Sequence, residues 1–264
     1  MSPSPIRPNF NKAALHYNAH AFLQDEVALR LSEKLNVISI NPEVTIDLGA
    51  GTGLLSSKLS QKLPNTKLIC VDFAQHSLQS NLAQFKICAD AYQLPFANKS
   101  VDFIASNLMM QWCPDLKILF NECHRVLKHD GLMLFSTFGP DTLKELKRSW
   151  SVVDSDPHVN TFIDMHDIGD QMLQSGFNSP IMEMERITLT YDKVIDLMHD
   201  LKGIGAQTVH NRSKSLTGKT RFKQMIEMYE SYRKEGKLPA TYEVIYGHAW
   251  KKTSPLGVVP VSNY

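Results

Sequence analysis

The stretch Val44-Thr45-Ile46-Asp47-Leu48-Gly49-Ala50-Gly51-Thr52-Gly53 decides how the chain is read. A short apolar, β-branched run meets three glycines at every second position. A helix-like segment follows to Leu63, where Pro64 stops it. Glycines let the chain turn tightly out of a strand and let a ligand approach with no Cβ in the way. In an open α/β sheet, ligands bind beyond the carboxyl ends of the strands, so this turn is the first candidate site. The plain alternative is a tight strand–helix turn with no ligand, and the same pattern also serves dinucleotides. The spacing is G-x-G-x-G rather than G-x-G-x-x-G, and no Walker lysine accompanies it.

Downstream, KLICVD (67–72), FKICAD (85–90), VDFIASN (101–107) and LMLFSTF (132–138) read as further strands. Helical segments at 75–83 and from Pro114 to about Lys128 lie between them, with a turn at Asp130-Gly131. This alternation predicts an α/β doubly wound sheet. A helix over Thr142–Trp150, a polar loop, a helix over 166–175 and two later strands, 187–191 and 241–250, complete the pattern. About fifty mostly helical residues separate those two strands, too many for a plain connection, and predict a lid or substrate element. Upstream, Phe10 to Leu35 has helical spacing, with Ala14, Tyr17, Ala21 and Ala28 in register.

Composition narrows the classes. Of 264 residues, 43% are hydrophobic and 21% charged, which argues against a disordered or collagen-like chain. A net charge of +1 argues against a polycation built for duplex DNA. No apolar run reaches the roughly 18 residues of a membrane span, and MSPSPIRPNF lacks the apolar stretch of a secretory signal. The four cysteines form no C-x-x-C pair. Cys70 and Cys88 lie in apolar strand-like runs and read as buried small hydrophobes, which suits a reducing cytoplasm. The ten histidines show no metal-ligand spacing, so no metal site is expected.

Two acids sharpen the glycine turn. Asp72 ends the second predicted strand, where a carboxylate can accept both hydroxyls of a ribose. Asp90 ends the third, followed by Ala91, where a carboxylate and a backbone N–H can read the amino edge of adenine. An isolated acid at a strand end is usually solvated; two beside one glycine turn point to an adenosine site.

With VTIDLGAGTG, Asp72-Phe73, Ala89-Asp90-Ala91, VDFIASN and HRVLKHDGLMLFSTF (124–138), the sequence resembles the class I S-adenosylmethionine-dependent methyltransferases. That resemblance implies a Rossmann-like seven-stranded sheet with the last strand antiparallel, and S-adenosylmethionine lying across its carboxyl edge. It implies that Gly49 and Gly51 pack under the methionine part and that Asp72 holds the ribose. Phe73 would flank adenine, Asp90 would meet the exocyclic amine, and Asn107 would sit near the amino-acid end. Asp47, Ala50, Gly53, Ala91 and Leu108 complete the implied cofactor set.

A narrower resemblance covers about residues 10–250. It rests on Asn11-Lys12-Ala13-Ala14, Tyr17, Leu23-Gln24, Ser106 to Trp112, Phe135 to Leu146 and Asp164 to Asp170. Leu189-Thr190-Tyr191, Asp200 to Ala206 and Leu216 to Lys219 extend it. These stretches are similar to the malonyl-acyl-carrier-protein O-methyltransferases of the biotin pathway. The resemblance implies esterification of the free carboxyl of a malonyl thioester carried by acyl-carrier protein, or of malonyl-CoA. It also implies a tail and cofactor-covering helix over 1–35, a methyltransferase core over 36–190, a helical lid over 191–240, and a final strand and tail over 241–264.

Candidates for the substrate carboxylate are Tyr17, Arg148, Lys202 and Arg212; a helix-face core position is the equal alternative for Tyr17. Residues 202–237 carry nine basic side chains against three acidic ones, leaving the rest of the chain at −5. A solvated helical face explains such a run, and so does docking of an acidic partner, acyl-carrier protein or RNA, on Lys219, Arg221 and Lys223. Acyl-carrier protein is the expected partner, with no nucleic acid or membrane, and the protein is expected to be a monomer. The alternatives are an arginine hydroxylase of the complex I assembly type, a small-molecule or RNA methyltransferase, and a non-catalytic cofactor-binding scaffold.

Overall fold

Apolar and β-branched runs become strands here because helices cover both faces of the sheet. The computed structural model describes residues 6–14, 16–206 and 218–251. Three helices open the chain: α1 (Arg7–Ala13), α2 (Tyr17–His20) and α3 (Phe22–Glu33). The alternating region follows as β1 (Val44–Leu48), α4 (Leu54–Lys62), β2 (Lys67–Asp72), α5 (Gln75–Ser80), β3 (Phe85–Cys88), β4 (Val101–Asn107), α6 (Leu116–Val126) and β5 (Leu127–Phe138). Then come α7 (Lys144–Ser151), α8 (Met165–Gln174), β6 (Asn178–Tyr191), α9 (Val194–Gly203), α10 (Lys219–Glu230) and β7 (Leu238–Lys251).

The sheet has seven strands in the order β3-β2-β1-β4-β5-β7-β6. β1 to β5 run parallel, and β7 is antiparallel to both β5 and β6. The chain leaves β1 to one side for β2 and later returns to its other side as β4. That reversal opens a crevice beyond the carboxyl ends of β1 and β4, where the glycine turn sits. Alternation along the strands divides the core into two layers. Phe103, Ala105, Leu132 and Leu134 face α3, α4 and α7, whereas Ile104, Met133 and Phe135 face α6 and α8. The sheet, its antiparallel last strand and the helices inserted before that strand match the expectation.

Four local expectations are corrected. The single helix over 10–35 is three helices, because its parts pack on different partners: α1 on α5, α2 on α9 and α3 on α4. No straight rod reaches all three. The Asp130-Gly131 turn lies inside β5, where the register jumps from Val101↔Leu127 to Phe103↔Leu132 and Asp130 takes φ +57°. The extra residues are absorbed as a bulge rather than ending the strand. β6 begins at Asn178 rather than 187; Lys34 binds Glu183 at 2.6 Å, and Arg30 pairs with Glu185, so these charged residues ahead of 187 belong to a sheet edge. Cys70 is buried, but Cys88 on edge strand β3 is exposed.

Candidate active site

The turn after β1 is built by its own backbone. Gly49 and Ala50 N–H both donate to the Val71 carbonyl, at 2.8 and 3.0 Å, which ties the turn to β2. Gly49 has φ +76°, and a Cβ there would lie 2.3 Å from Met109 Cγ. Gly51, at φ +51°, is different: a Cβ there would meet nothing within 4 Å. It faces a cavity of about 440 Å³ at the switch point.

Asp72 is the charged group of this wall. It is 8% exposed; Oδ2 accepts the Gly51 N–H at 2.8 Å and Oδ1 accepts the Ala74 N–H at 2.7 Å. Burial pushes its carboxyl up, and the N–H groups of Ala74, Gly51 and Phe73 oppose that shift. Tyr17, the first residue of α2, lines the same cavity. Burial, reinforced by Asp72, holds its phenol far above the ordinary value, so it stays a hydrogen-bond donor.

Asn107, at the end of β4, also lines the cavity. Its Nδ2 donates to the Gln24 carbonyl at 2.9 Å and its Oδ1 accepts from Ser136 Oγ at 2.7 Å. It therefore locks α3 against the sheet. Gln24 Oε1 on this wall is buried with no hydrogen-bond partner among the described residues, a polar atom awaiting a donor. Leu108 lines the cavity with φ +48°, its N–H held by the Ser136 carbonyl at 3.1 Å.

The implied cofactor set does not all reach the cavity lining. Asp47 lies behind the turn, fully buried and accepting from Ser56 Oγ at 2.5 Å. Burial lifts its carboxyl from 3.8 to about 7, against the Ser56 hydrogen bond. Ala50 and Gly53 are within the turn but outside the lining, and Phe73 packs edge-on against Phe10 at 6.2 Å. Asp90 is exposed and caps its own turn, accepting the Tyr92 N–H at 2.9 Å; neither it nor Ala91 lines the cavity.

The far end of the cavity is apolar. Phe138, Leu143, Leu146, Phe162 and Tyr242 form its walls, and Met198 and Lys202 of α9 close over it. Of the carboxylate candidates, Tyr17 and Lys202 line the cavity, Tyr17 near Asp72 and Lys202 at this end. Arg148 does not: it is exposed on α7, whose opposite side buries Glu145, Leu146, Ser149 and Trp150. Arg212 lies outside the described residues, as do Leu216 and Thr217. Lys219, Arg221 and Lys223 are exposed on α10, with Arg221 3.6 Å from Asp154 and Lys223 3.7 Å from Glu227.

One group at this end was passed over as polar loop. His158 lines the cavity, its Nε2 2.8 Å from Asp154 Oδ1 and its ring stacked on Trp150 at 3.6 Å. Among the described residues, no group of three or more His, Cys, Asp or Glu is placed to hold a metal ion, and no helix is long and apolar enough to cross a membrane.

The donor wall fits an adenosyl sulfonium ligand. A buried carboxylate with acceptor capacity left faces a Cβ-free surface at Gly51, and an unpartnered amide oxygen waits on Gln24. Sheet order, switch point and wall together define a class I S-adenosylmethionine-dependent methyltransferase. Comparisons agree. The "Methyltransferase domain" family model matches residues 46–135. The Bacillus subtilis YcgJ structure shares the fold at TM-score 0.61 and 17% identity, over 86% of this chain and 99% of that one. A Haemonchus contortus phosphoethanolamine N-methyltransferase 2 structure in complex with S-adenosyl-L-methionine does so at TM-score 0.58 and 13% identity, over 96% and 61%. A malonyl-[acyl-carrier protein] O-methyltransferase of Gallionella capsiferriformans is 46% identical over 93% of this chain and 90% of its own length. The chain belongs to the malonyl-[acyl-carrier protein] O-methyltransferase family.

Proposed function

We propose that this protein transfers the methyl group of S-adenosylmethionine to the free carboxyl of malonyl-acyl-carrier protein, giving the methyl ester that starts pimeloyl and biotin synthesis. The observation that carries this reading is the 46% identity over 93% of this chain and 90% of the relative's length, far beyond the stretch that the general methyltransferase family model matches. The donor supplies a methyl carbon made electrophilic by the sulfonium. The chain's residues have a modest task, because a malonyl carboxylate is already ionised near neutral pH and needs no general base.

Asp72 grips the ribose and, with the glycine turn, fixes the donor's position. Tyr17 donates a hydrogen bond from α2 over the cavity, and Lys202 supplies positive charge on the acceptor side. The apolar walls at Phe138, Leu146 and Tyr242 exclude water, which aligns the carboxylate oxygen with the methyl carbon and protects the ester. The exposed cations of α10 dock the acidic carrier, whose flexible arm delivers the thioester into the cavity. The protein acts as a monomer in the cytoplasm.

The test is transfer of labelled methyl from S-adenosylmethionine to malonyl-carrier protein, with the label released by mild base. Base-labile label on the malonyl form supports the reaction. Label absent, or equal on carrier lacking the malonyl group, contradicts it.

A further inference from the structure

The substrate carboxylate needs a cation or donor at the acceptor end, and the sequence offered no fixed one there. One side-chain cluster on the cavity wall, away from the donor end, is both buried and anchored: Asp154-His158-Trp150. The His158 side chain is 5% exposed, yet its ring belongs to the cavity wall. Two contacts hold it, and a third supports one of them. Nε2 binds Asp154 Oδ1 at 2.8 Å; the ring lies on the Trp150 indole, 3.6 Å between centroids and 4° from parallel; and Phe222 of α10 backs that indole at 6.4 Å. Burial works against ionisation of Asp154, but His158, the Asp156 N–H and Arg221 outweigh it, so the carboxyl lies below its ordinary value and is anionic.

That geometry sets the chemistry. An ionised Asp154 takes the proton on Nε2, which leaves Nδ1 as the ring nitrogen with no hydrogen bond among the described residues. A ring that carries both protons donates from Nε2 to Asp154 and from Nδ1 to a carboxylate in the cavity. Because Asp154 and Trp150 already fix the ring, little side-chain freedom is lost on binding. Lys202 is another basic group lining the cavity, on a long stem from α9. Across the cavity, His199, Tyr17 and Asp72 face the same space, and Arg221 of α10 approaches Asp154 from behind at 3.6 Å.

We infer that His158 is the residue that recognises the substrate carboxylate, with Asp154 as its positioning partner. The inference rests on the proposed reaction and adds the group that selects a carboxylate over a neutral chain end.

The test separates charge recognition from simple packing. Full-length protein saturated with S-adenosylhomocysteine is titrated by calorimetry with malonyl-pantetheine and with its neutral isostere, malonamyl-pantetheine. The unaltered protein should prefer the carboxylate by about ten- to a hundredfold, the range of one charge-assisted hydrogen bond. His158→Gln should bring the two affinities together while leaving S-adenosylhomocysteine affinity unchanged. Asp154→Asn, which keeps the ring but removes its anchoring charge, should fall between. Equal weakening of both ligands would show that His158 only supports the wall, and unchanged preference in both variants would overturn the assignment outright. Turnover of malonyl-carrier protein with no loss of preference in His158→Gln would sink this assignment alone. Absence of turnover in the unaltered protein would sink the reaction it rests on.

Discussion

The two ends of the cavity solve recognition differently. At the donor end, backbone geometry does most of the work. Three glycines with positive φ turn the chain, and one buried carboxylate is pinned through both oxygens, by the Gly51 N–H of that turn and by the Ala74 N–H just after β2. At the acceptor end, the walls are apolar and the polar groups come from far apart: His158 in the loop after α7 and Lys202 on α9. A contiguous, backbone-built site suits a ligand that never changes. A dispersed, side-chain-built site leaves the acceptor free to differ on the same sheet.

The comparison breaks most decisively at the carboxylates. Asp72→Ala removes two anchored backbone contacts and the proposed ribose acceptor, each charge-assisted bond being worth about 1.5–3 kcal/mol. Calorimetry should show affinity for S-adenosylhomocysteine falling by on the order of a hundredfold or more. Asp90→Ala, at an exposed position outside the lining, should cost far less. Comparable losses would mean that ligand binding draws Asp90 into the site.

Asp47 gives the donor end a pH signature. Burial raises its carboxyl from 3.8 to about 7. Between those values the folded chain holds a proton that the unfolded chain has released, so this group makes stability fall as pH rises through that window. The melting temperature of the ligand-free protein should decline from about pH 4 to pH 7 by an amount corresponding to a few kcal/mol. Asp47→Asn, which still accepts from Ser56, should flatten the decline. An unchanged slope in that variant would remove Asp47 as its cause.

Two glycines separate folding from binding. Gly49→Ala forces a Cβ onto Met109 at φ +76° and should destabilise the protein by about 1–3 kcal/mol in denaturant unfolding. Gly51→Ala meets open space and should cost less stability but a larger share of S-adenosylhomocysteine affinity. The reverse ranking would contradict the view that Gly51 faces the ligand.

The smallest effect belongs to α10. Reversing charge at Arg221 and Lys223 should raise KM for malonyl-carrier protein several-fold at low salt, with the difference fading as ionic strength rises. A small malonyl thioester should be much less affected. Equal losses on both substrates would count against docking on α10.

Legibility followed the same division. The sheet and the donor wall could be read because their evidence is local: an apolar run, a glycine turn, an acid ending the next strand. Phe73 and Asp90 carried the family pattern, but the sequence gives no sign that Phe73 packs on Phe10 or that Asp90 turns to its own backbone. Arg148 was legible as a misfit, since the apolar side of α7 runs through Leu146 and Trp150 and leaves 148 outside. His158 was not legible. Asp154 and His158 are four residues apart in a polar loop without helical period, and what gives them meaning is long-range: the Trp150 stack, Phe222 of α10 and the cavity itself. The break in the amino-terminal helix was hidden for the same reason, because it follows from three partners distant in sequence.

A crystal structure of the protein with S-adenosylhomocysteine and malonyl-pantetheine tests the central claim most directly. The account predicts ribose hydroxyls on Asp72 beside Gly51, and the malonyl carboxylate at the opposite end of the cavity, one oxygen toward the vacant sulfur and the other within hydrogen-bond reach of His158. A nucleoside bound away from Asp72, or a carboxylate turned out toward solvent, would contradict it.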